Sequence, residues 1–257
     1  MLLAELTAGS AHDAQRRAES VSLAQVEQHA LDVSAPLNAL DFLAPASHIK
    51  VIAEVKRASP SRGDMASIPD PAALASIYEL GGASAISVLT EERRFKGSLD
   101  DLRAVRARVS IPVLRKDFVS LPYQVFEARA AGADMVLLIV AALEQPLLAE
   151  LYALITDLGM TALVEAHSAD EVDRAVALGA RLIGVNARDL NTFELDRELF
   201  GSVADRIPAG TIRVAESAVR TADDVKHYRA AGADVVLVGE ALVTSDSLAT
   251  LQSFLEI

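Results

Sequence analysis

The sequence predicts an α/β protein: a (β/α)8 barrel with a helical N-terminal extension. Three observations predict it: a repeated Gly-Ala pair before apolar runs, eight strand-like segments at regular spacing, and an aliphatic composition. The 257 residues are 51% hydrophobic but only 4% aromatic, with no Trp. Ala, Val, Leu and Ile must therefore fill the core, which is typical of helices packed on parallel strands.

The first 48 residues precede the first predicted strand and form the N-terminal extension. Within it, the segment Ala11–Leu31 is predicted as one helix and the run LNALDFL as a second, shorter one. No linker rich in Pro, Gly or Ser divides the chain. We therefore expect a single domain over residues 1–257, in which residues 1–48 lie against a barrel of residues 49–257.

An internal repeat sets the architecture of the rest of the chain. Four Gly-Ala pairs each stand one residue before an apolar run, at Gly82, Gly132, Gly179 and Gly232. Each Gly follows an Ala-rich amphipathic stretch at the place of a helix C-cap. The repeat unit is therefore helix, tight turn and buried strand.

Eight strands result when the segments VIAEVK, PVLRKDF, TALVEA and IRVAES are added to these four runs. They begin near residues 50, 84, 112, 134, 161, 182, 212 and 234. This spacing is what a strand, a helix and two short loops require, and eight units close a barrel. The rival is an open doubly wound sheet, which offers no reason for eight units, and no GxGxxG motif follows the first strand.

Composition excludes several classes of function. A formal net charge of −12 argues against nucleic acid or anionic membrane as a partner, so an anionic substrate needs a focused basic site. The chain has no Cys, which excludes disulfides and thiolate catalysis, and its five His residues form no HxH or HxxxH pair. We expect no metal, no membrane span and a cytoplasmic location.

The first strand carries two charges on one face. In the run VIAEVKRASPSR, Ile52, Glu54 and Lys56 share one side because side chains alternate along a strand. The Ser59-Pro60-Ser61 loop follows. Charges on the inner face of a buried strand are costly to desolvate unless they are partnered, so this pair indicates function.

Other strands also end in polar residues. Active sites of such barrels lie at the C-terminal ends of the strands, so these residues are expected near Glu54 and Lys56. Lys116 shares a face with Leu114, and Glu165 with Leu163, so both are predicted to point inward. Two Lys and two Glu there could serve as general acid and base, although any one alone is usually a solvated rim residue. Asn186 and Arg188 end the sixth strand.

Three further residues near these ends receive a structural interpretation. Arg115 and Asp117 lie on the opposite face of the third strand and are predicted to pair with helix residues. His167 follows the fifth strand, and a lone His in such a place is interpreted as a surface or capping residue.

The ends of the seventh and eighth strands predict an anion site. Glu216-Ser217-Ala218 and Gly239-Glu240 place small residues between strand and helix, which leaves backbone N–H groups available. The alternative is that small residues merely allow tight helix packing.

The sequence resembles the indole-3-glycerol phosphate synthase family over nearly its whole length. The motifs that carry the resemblance are IAEVKRASPSRG, SVLTEERRFKGSLDDL, PVLRKDF, GADMVLLIVAAL, ALVEAH, IGVNARDL and VAES, in this order. The resemblance implies decarboxylating ring closure and dehydration of 1-(2-carboxyphenylamino)-1-deoxy-D-ribulose 5-phosphate, without a cofactor. It also implies a small phosphorylated substrate as partner, and we expect no nucleic acid, no membrane and a monomer.

The resemblance implies roles for catalytic residues. Lys116 would be the general acid at the ketose oxygen, and Lys56 would hold the substrate carboxylate and join later proton transfers. Glu165 would assist dehydration or stabilise the positive charge that develops on the aniline nitrogen. Glu54 and Asn186 would orient these groups. The division of acid and base work among Lys56, Glu54 and Glu165 stays open.

The resemblance also implies substrate-binding residues. Phe95 and Leu137 would face the anthranilate ring, while Arg188 would support the site. The phosphate would be held by Ser59 and by the backbone around Glu216, Ser217, Ala218, Gly239 and Glu240.

Two departures from the family pattern carry expectations. Ala218 stands where the family usually has Gly, so phosphate affinity is expected to be weaker or the turn shifted. Leu37-Asn38 stands where Arg-Asp is frequent, so a substrate-steering contact is expected to be missing there.

Two other functions compete with this one. Phosphoribosylanthranilate isomerase is a barrel of the same pathway, but it usually uses a Cys base, and this chain has none. A catalytically silent phosphate-binding barrel would have no need of three inward charges.

Overall fold

Eight parallel strands form a closed barrel in this computed structural model, which describes residues 2–60, 62–65 and 67–257. Each strand pairs with the next in sequence, and the last pairs with the first. The strands are β1 Lys50–Val55, β2 Ala85–Leu89, β3 Val113–Lys116, β4 Met135–Ile139, β5 Thr161–Ala166, β6 Leu182–Asn186, β7 Ile212–Glu216 and β8 Val235–Val238. The predicted fold is confirmed, and every predicted strand begins within one residue of the observed one.

Helices surround the barrel and precede it. They are α1 Leu2–Ala18, α2 Leu23–Asp32, α3 Ala39–Leu43, α4 Pro71–Leu80, α5 Leu99–Arg106, α6 Pro122–Ala130, α7 Gln145–Asp157, α8 Ala169–Ala177, α9 Leu199–Val203, α10 Ala222–Ala230, α11 Glu240–Thr244 and α12 Ser247–Leu255. A two-residue hairpin pairs Ala58–Ser59 with Gly63–Asp64 in the loop after β1. Ser61 of this loop lies outside the described residues.

The repeated Gly residues end helices, as the sequence predicts. Gly82, Gly132, Gly179 and Gly232 adopt φ values of 96°, 87°, 78° and 95°. This left-handed region is open to Gly at no steric cost, and it turns the chain from a helix into the next strand.

The N-terminal extension differs from the prediction in one respect. The single helix predicted over Ala11–Leu31 is wrong, because α1 ends at Ala18 and α2 begins at Leu23. Ser22 caps α2: its hydroxyl accepts from the N–H of Gln25, and the Gln25 side chain accepts from the N–H of Ser22. This capping box starts a new helix where apolar periodicity alone suggests continuity.

Two apolar layers make up the core. Val51, Ala53 and Val55 of β1 face the helices, whereas Ile52 joins the cluster inside the barrel. The odd-numbered strands supply one layer of that interior, with Ile52, Leu114, Leu163 and Val214. The interior cluster also includes Leu3 and Leu6 of α1 and Ala39 and Leu43 of α3, so α1 and α3 both pack on the barrel.

The segment Leu37-Asn38 lies far from the strand ends that carry chemistry. The N–H of Leu37 donates to Asp134 Oδ1, immediately before β4 begins, at a distance of 2.7 Å. This contact belongs to the N-terminal end of the barrel. Leu37 therefore lies away from the mouth, which agrees with the expectation that a substrate-steering contact is missing there.

None of the helices in the described part of the chain combines the length and the apolar character that a bilayer span requires. The C-terminal ends of the strands, with their polar residues, form the barrel mouth.

Candidate active site

Four ionisable side chains form the uppermost layer inside the barrel. Glu54, Lys116, Glu165 and Glu216 each stand two residues beyond the apolar layer, on β1, β3, β5 and β7. A barrel fills its interior with layers of four side chains from alternate strands, and here one such layer is ionisable. Period-two alternation along each strand therefore brings these residues together.

Lys116 is the centre of this charged layer. Its Nζ lies 3.3 Å from Glu216 Oε2, 3.6 Å from Glu165 Oε2 and 3.7 Å from Glu54 Oε2. The three glutamates are at most 3% exposed. Burial alone would lower the pKa of Lys116, but the three carboxylates raise it well above its ordinary value. The ammonium is therefore charged at neutral pH.

Lys56 extends the layer toward solvent. Its Nζ lies 2.8 Å from Glu54 Oε1. Burial would raise the pKa of Glu54, but Lys56 and Lys116 outweigh it and lower that pKa. A Cβ on Gly239 would approach Glu54 Oε1 to 2.5 Å, so the pair requires Gly at that position.

Glu165 and Glu216 are held in opposite protonation states. Burial and the nearby charge of Glu165 raise the pKa of Glu216 well above its ordinary value. Burial pushes the pKa of Glu165 the same way, but Lys116 and His167 overcome it and lower that pKa. Two buried carboxyls in one site cannot both ionise cheaply, so Glu216 keeps a proton and Glu165 is ionised.

Asn186 connects Glu165 with the next strand. Its Nδ2 donates to Glu165 Oε1 at 3.2 Å. Its Oδ1 accepts from Ser217 Oγ at 2.8 Å and from the N–H of Arg188 at 3.0 Å. These three bonds fix the orientation of the amide and therefore one face of Glu165.

A cavity above this layer has an apolar lobe and a polar lobe. The apolar lobe is lined by Phe95, Phe118, Leu137, Ile139 and Leu190, with Leu6 of α1 beside them. The rings of Phe95 and Phe118 are 6.0 Å apart at 44°. The polar lobe continues past Arg188 to Ser217, Ala218, Gly239 and Glu240. A flat aromatic ring fits the first lobe by its chemistry, and an anion fits the second.

All predicted site residues line this one cavity. They are Lys116, Lys56, Glu165, Glu54, Asn186, Ser59, Phe95, Leu137, Arg188, Glu216, Ser217, Ala218, Gly239 and Glu240. Six of them border both lobes, so the cavity is continuous. The apolar residues Leu6, Phe118 and Leu190 also line it and were not predicted, because a single apolar residue in a loop or helix carries no sequence signal.

The polar lobe has an unusual backbone at its edge. Ser217 and Ala218 adopt φ values of 67° and 54°, so two consecutive non-Gly residues occupy the left-handed region. Neither N–H donates a hydrogen bond to another residue in the described part of the chain. The turn therefore keeps the positive φ that Gly would favour, and its donors are available to an anion.

Arginines supply positive charge to this lobe. Arg62 Nη2 lies 2.7 Å from Glu240 Oε1, and Arg220 Nε lies 4.0 Å from the same atom. Arg188 is close enough to Glu240, Arg220 and Arg62 for all three to influence its pKa, which burial lowers. The lobe is therefore locally basic although the chain carries a net charge of −12.

Arg115 and Asp117 lie on the outer face of β3 and its continuation, as predicted. Arg115 is fully buried, and its Nη2 lies 3.0 Å from Asp117 Oδ2. Its Nη1 donates to the Gln124 carbonyl at 2.6 Å and lies 3.4 Å from Glu127 Oε2 in α6. The predicted pairing with helix residues is therefore observed, although Asp117 also borders the cavity.

The interpretation of His167 as a surface or capping residue is wrong. Its side chain is only 10% exposed, and its Nε2 lies 3.2 Å from Glu165 Oε1. Glu165 and His167 stand two residues apart at a strand end, which is the spacing that singled out Glu54 and Lys56. Alternation of faces could therefore have identified His167.

Comparison with known proteins places this cavity in a family context. Residues 3–254 match the family model described as indole-3-glycerol phosphate synthase. An indole-3-glycerol phosphate synthase of Leifsonia xyli subsp. xyli is 71% identical over 253 residues, covering 98% of this chain and 97% of its own. One of Mycolicibacterium vanbaalenii is 60% identical over 244 residues, covering 95% and 89%.

Solved structures of more distant proteins share the fold. An N-acetylmannosamine-6-phosphate 2-epimerase from Clostridium perfringens has a TM-score of 0.61 and 16% identity, covering 85% of this chain and 96% of its own. A thiamine phosphate pyrophosphorylase from Pyrococcus furiosus has a TM-score of 0.61 and 14% identity, covering 80% and 93%. At these identities the likeness concerns the fold alone.

Proposed function

The chain belongs to the indole-3-glycerol phosphate synthase family, and we propose that Lys116 is the general acid of its reaction. Its activity is that of a decarboxylating carbon–carbon lyase of tryptophan biosynthesis. It closes the indole ring of 1-(2-carboxyphenylamino)-1-deoxy-D-ribulose 5-phosphate with loss of carbon dioxide and water, which yields indole-3-glycerol phosphate. The two rival functions are not favoured by this family membership.

The role of Lys116 follows from its position among three carboxyls. A protonated ammonium at the barrel mouth can donate to the ketose oxygen of the substrate while the aromatic ring carbon attacks. Glu54 and Glu165 stabilise the ammonium form of Lys116 before the reaction, so Lys116 already carries the proton when the substrate binds. This central position is the observation that carries the proposal.

Lys56 is proposed to hold the substrate carboxylate. It stands one layer above Lys116, its side chain is 19% exposed, and it borders both lobes. A carboxylate held there can be turned out of the ring plane, which the loss of carbon dioxide requires. Glu54 positions Lys56 through their 2.8 Å contact.

Glu165 is proposed as the general base for dehydration. It is the ionised member of its carboxyl pair, whereas Glu216 is neutral and can donate a hydrogen bond to the substrate. Asn186 orients Glu165 and can reach a sugar hydroxyl. Lys56, Glu54 and Glu165 can still divide the later proton transfers in more than one way.

The two lobes are proposed to bind the two ends of the substrate. Phe95 and Leu137 in the apolar lobe pack on the anthranilate ring. In the polar lobe the backbone at Ser217, Ala218, Gly239 and Glu240 holds the phosphate, with Ser59 and Arg188 beside it. We also propose that the protein acts on this substrate as a cytoplasmic monomer.

A turnover assay tests the function. The purified protein is expected to convert the carboxyphenylamino-deoxyribulose phosphate to a fluorescent indole product, with one carbon dioxide released per product. Phosphoribosylanthranilate, the substrate of the rival isomerase, serves as the control and is expected to remain unchanged. Absence of indole product, or turnover of the control instead, would overturn the assignment.

A further inference from the structure

His167 stands between two carboxylates at the rim of the active site. Its Nε2 lies 3.2 Å from Glu165 Oε1, and its Nδ1 lies 3.4 Å from Glu171 Oε2 in α8. The backbone N–H of His167 also donates to Glu171 Oε2 at 2.8 Å. The ring is thus anchored on the helix side, and its Nε2 lies within ion-pair distance of Glu165 on the barrel side.

The charged groups around the ring favour its protonation. Glu165 faces it from β5 and Glu171 from α8, and Asp189 acts on it from the loop after β6. Burial opposes a charged ring, but Glu165 and Glu171 together raise the pKa of His167 to about 10. The ring is therefore an imidazolium at neutral pH.

Glu165 needs a cation other than Lys116. Glu165 and Glu216 compete for one proton in a buried site. Lys116 and His167 are the two cations that keep Glu165 ionised. When Lys116 gives its proton to the substrate, its charge is lost, and Glu165 would then tend to take up a proton itself. A cation that stays charged through this step would prevent that.

We propose that His167 is a positioning residue that keeps Glu165 ionised and oriented while Lys116 discharges. The inference rests on the proposed roles of Lys116 and Glu165. His167 touches no substrate in this account, because it is absent from the cavity lining and acts through Glu165. His167 thus keeps the base, Glu165, in its charged form after the acid, Lys116, has lost its proton.

Steady-state kinetics of His167→Gln test the proposal. Gln can still donate a hydrogen bond, but it carries no charge. We expect kcat to fall by about tenfold or more while KM changes by less than about threefold, since the substrate contacts are intact. The acid limb of the kcat profile should move to higher pH by about one unit or more, because Glu165 must be ionised and loses a cation.

Two further variants complete the kinetic experiment. Glu171→Gln removes one carboxylate partner of His167 but leaves the imidazole ring, so a smaller loss of kcat is expected. This variant tests the proposal if His167→Gln fails to fold. His29→Gln replaces an exposed His in α2, far from the mouth, and should leave kcat and the profile unchanged. Unchanged kcat and an unmoved acid limb in both His167→Gln and Glu171→Gln would overturn the proposal.

Nitrogen NMR of the substrate-free protein supplies an independent readout. With His labelled by nitrogen-15, both ring nitrogens of His167 should show the shifts of an imidazolium at pH 8. A neutral His167 ring at pH 8 would contradict the proposal. This measurement needs no turnover, so failure of the proposed function would be seen separately in the assay of the native protein.

Discussion

At the scale of the residue, the site concentrates charge that the fold alone would avoid. Moving an ion into a protein interior costs several kcal/mol after relaxation, and Glu54, Glu165 and Lys116 are all buried or nearly so. Their mutual contacts offset the cost, and the proton on Glu216 removes one further charge. An apolar layer would be simpler to fold, so the charged layer is explained by chemistry.

Ala218→Gly tests the backbone of the polar lobe. Ala at φ 54° is strained by about 1–2 kcal/mol, whereas Gly there adds about 0.5–1 kcal/mol of unfolded-state entropy. The variant should therefore be more stable to urea by up to about 1 kcal/mol. Inhibition by inorganic phosphate should change by less than about twofold, because the turn already has the geometry that Gly would favour.

Ala149→Gly is the matched control for this prediction. Ala149 is exposed within α7, where Gly costs about 1 kcal/mol relative to Ala. The same substitution should thus have opposite effects at the two positions. A loss of stability in Ala218→Gly equal to that of Ala149→Gly would contradict the strain argument.

At the scale of the element, strand alternation and glycine turns carry most of the information. Ile52, Leu114 and Leu163 point inward where alternation predicts, and the charged residues two positions later follow them. Helices end and strands begin where Gly82 and its three equivalents turn the chain, so the starts of these strands can be predicted from the sequence. The break at residues 19–22 was missed because the apolar pattern continues across it, and only the Ser22–Gln25 capping box marks it.

Arg115→Met tests the link between β3 and α6. Arg115 is fully buried, and its loss removes the ion-pair partner of Asp117, whereas Glu127 keeps its ion pair with Arg17. Breaking a buried ion pair on one side costs about 3–5 kcal/mol, which should appear as a fall in the free energy of unfolding by urea.

Arg103→Met provides the comparison. Arg103 contacts Asp100 on the surface of α5 with its side chain 55% exposed, and its loss should change stability by less than about 0.5 kcal/mol. Equal effects of the two substitutions would show that Arg115 is not held as described.

At the scale of the whole molecule, the barrel and the residues of the site could be predicted from the sequence. The packing of α1 against the barrel mouth could not. The residues of the charged layer lie far apart in sequence, but closure of eight strands brings their ends together. Contacts of α1 with the mouth depend on tertiary packing, since Ser10 Oγ donates to Asp117 Oδ1 across 107 residues at 2.6 Å. No local pattern encodes such a contact.

The distribution of protonation states was also beyond the sequence. Glu165 and Glu216 are the same residue type at equivalent strand ends, and only the surroundings separate them. His167 and Lys116 lie close enough to Glu165 to lower its pKa, whereas burial and Glu165 raise that of Glu216. Such differences need distances that a sequence does not contain.

The most direct test of the central claim replaces the proton donor while it keeps the charge. Lys116→Arg retains a cation near Glu54, Glu165 and Glu216, but a guanidinium does not release its proton at neutral pH. Lys116→Ala removes both charge and proton, and circular dichroism reports whether each variant is folded. Rapid-quench measurement of indole-3-glycerol phosphate formation should show no turnover above background in either folded variant. Turnover by Lys116→Arg within about tenfold of the native rate would contradict the account, because positive charge alone would then suffice.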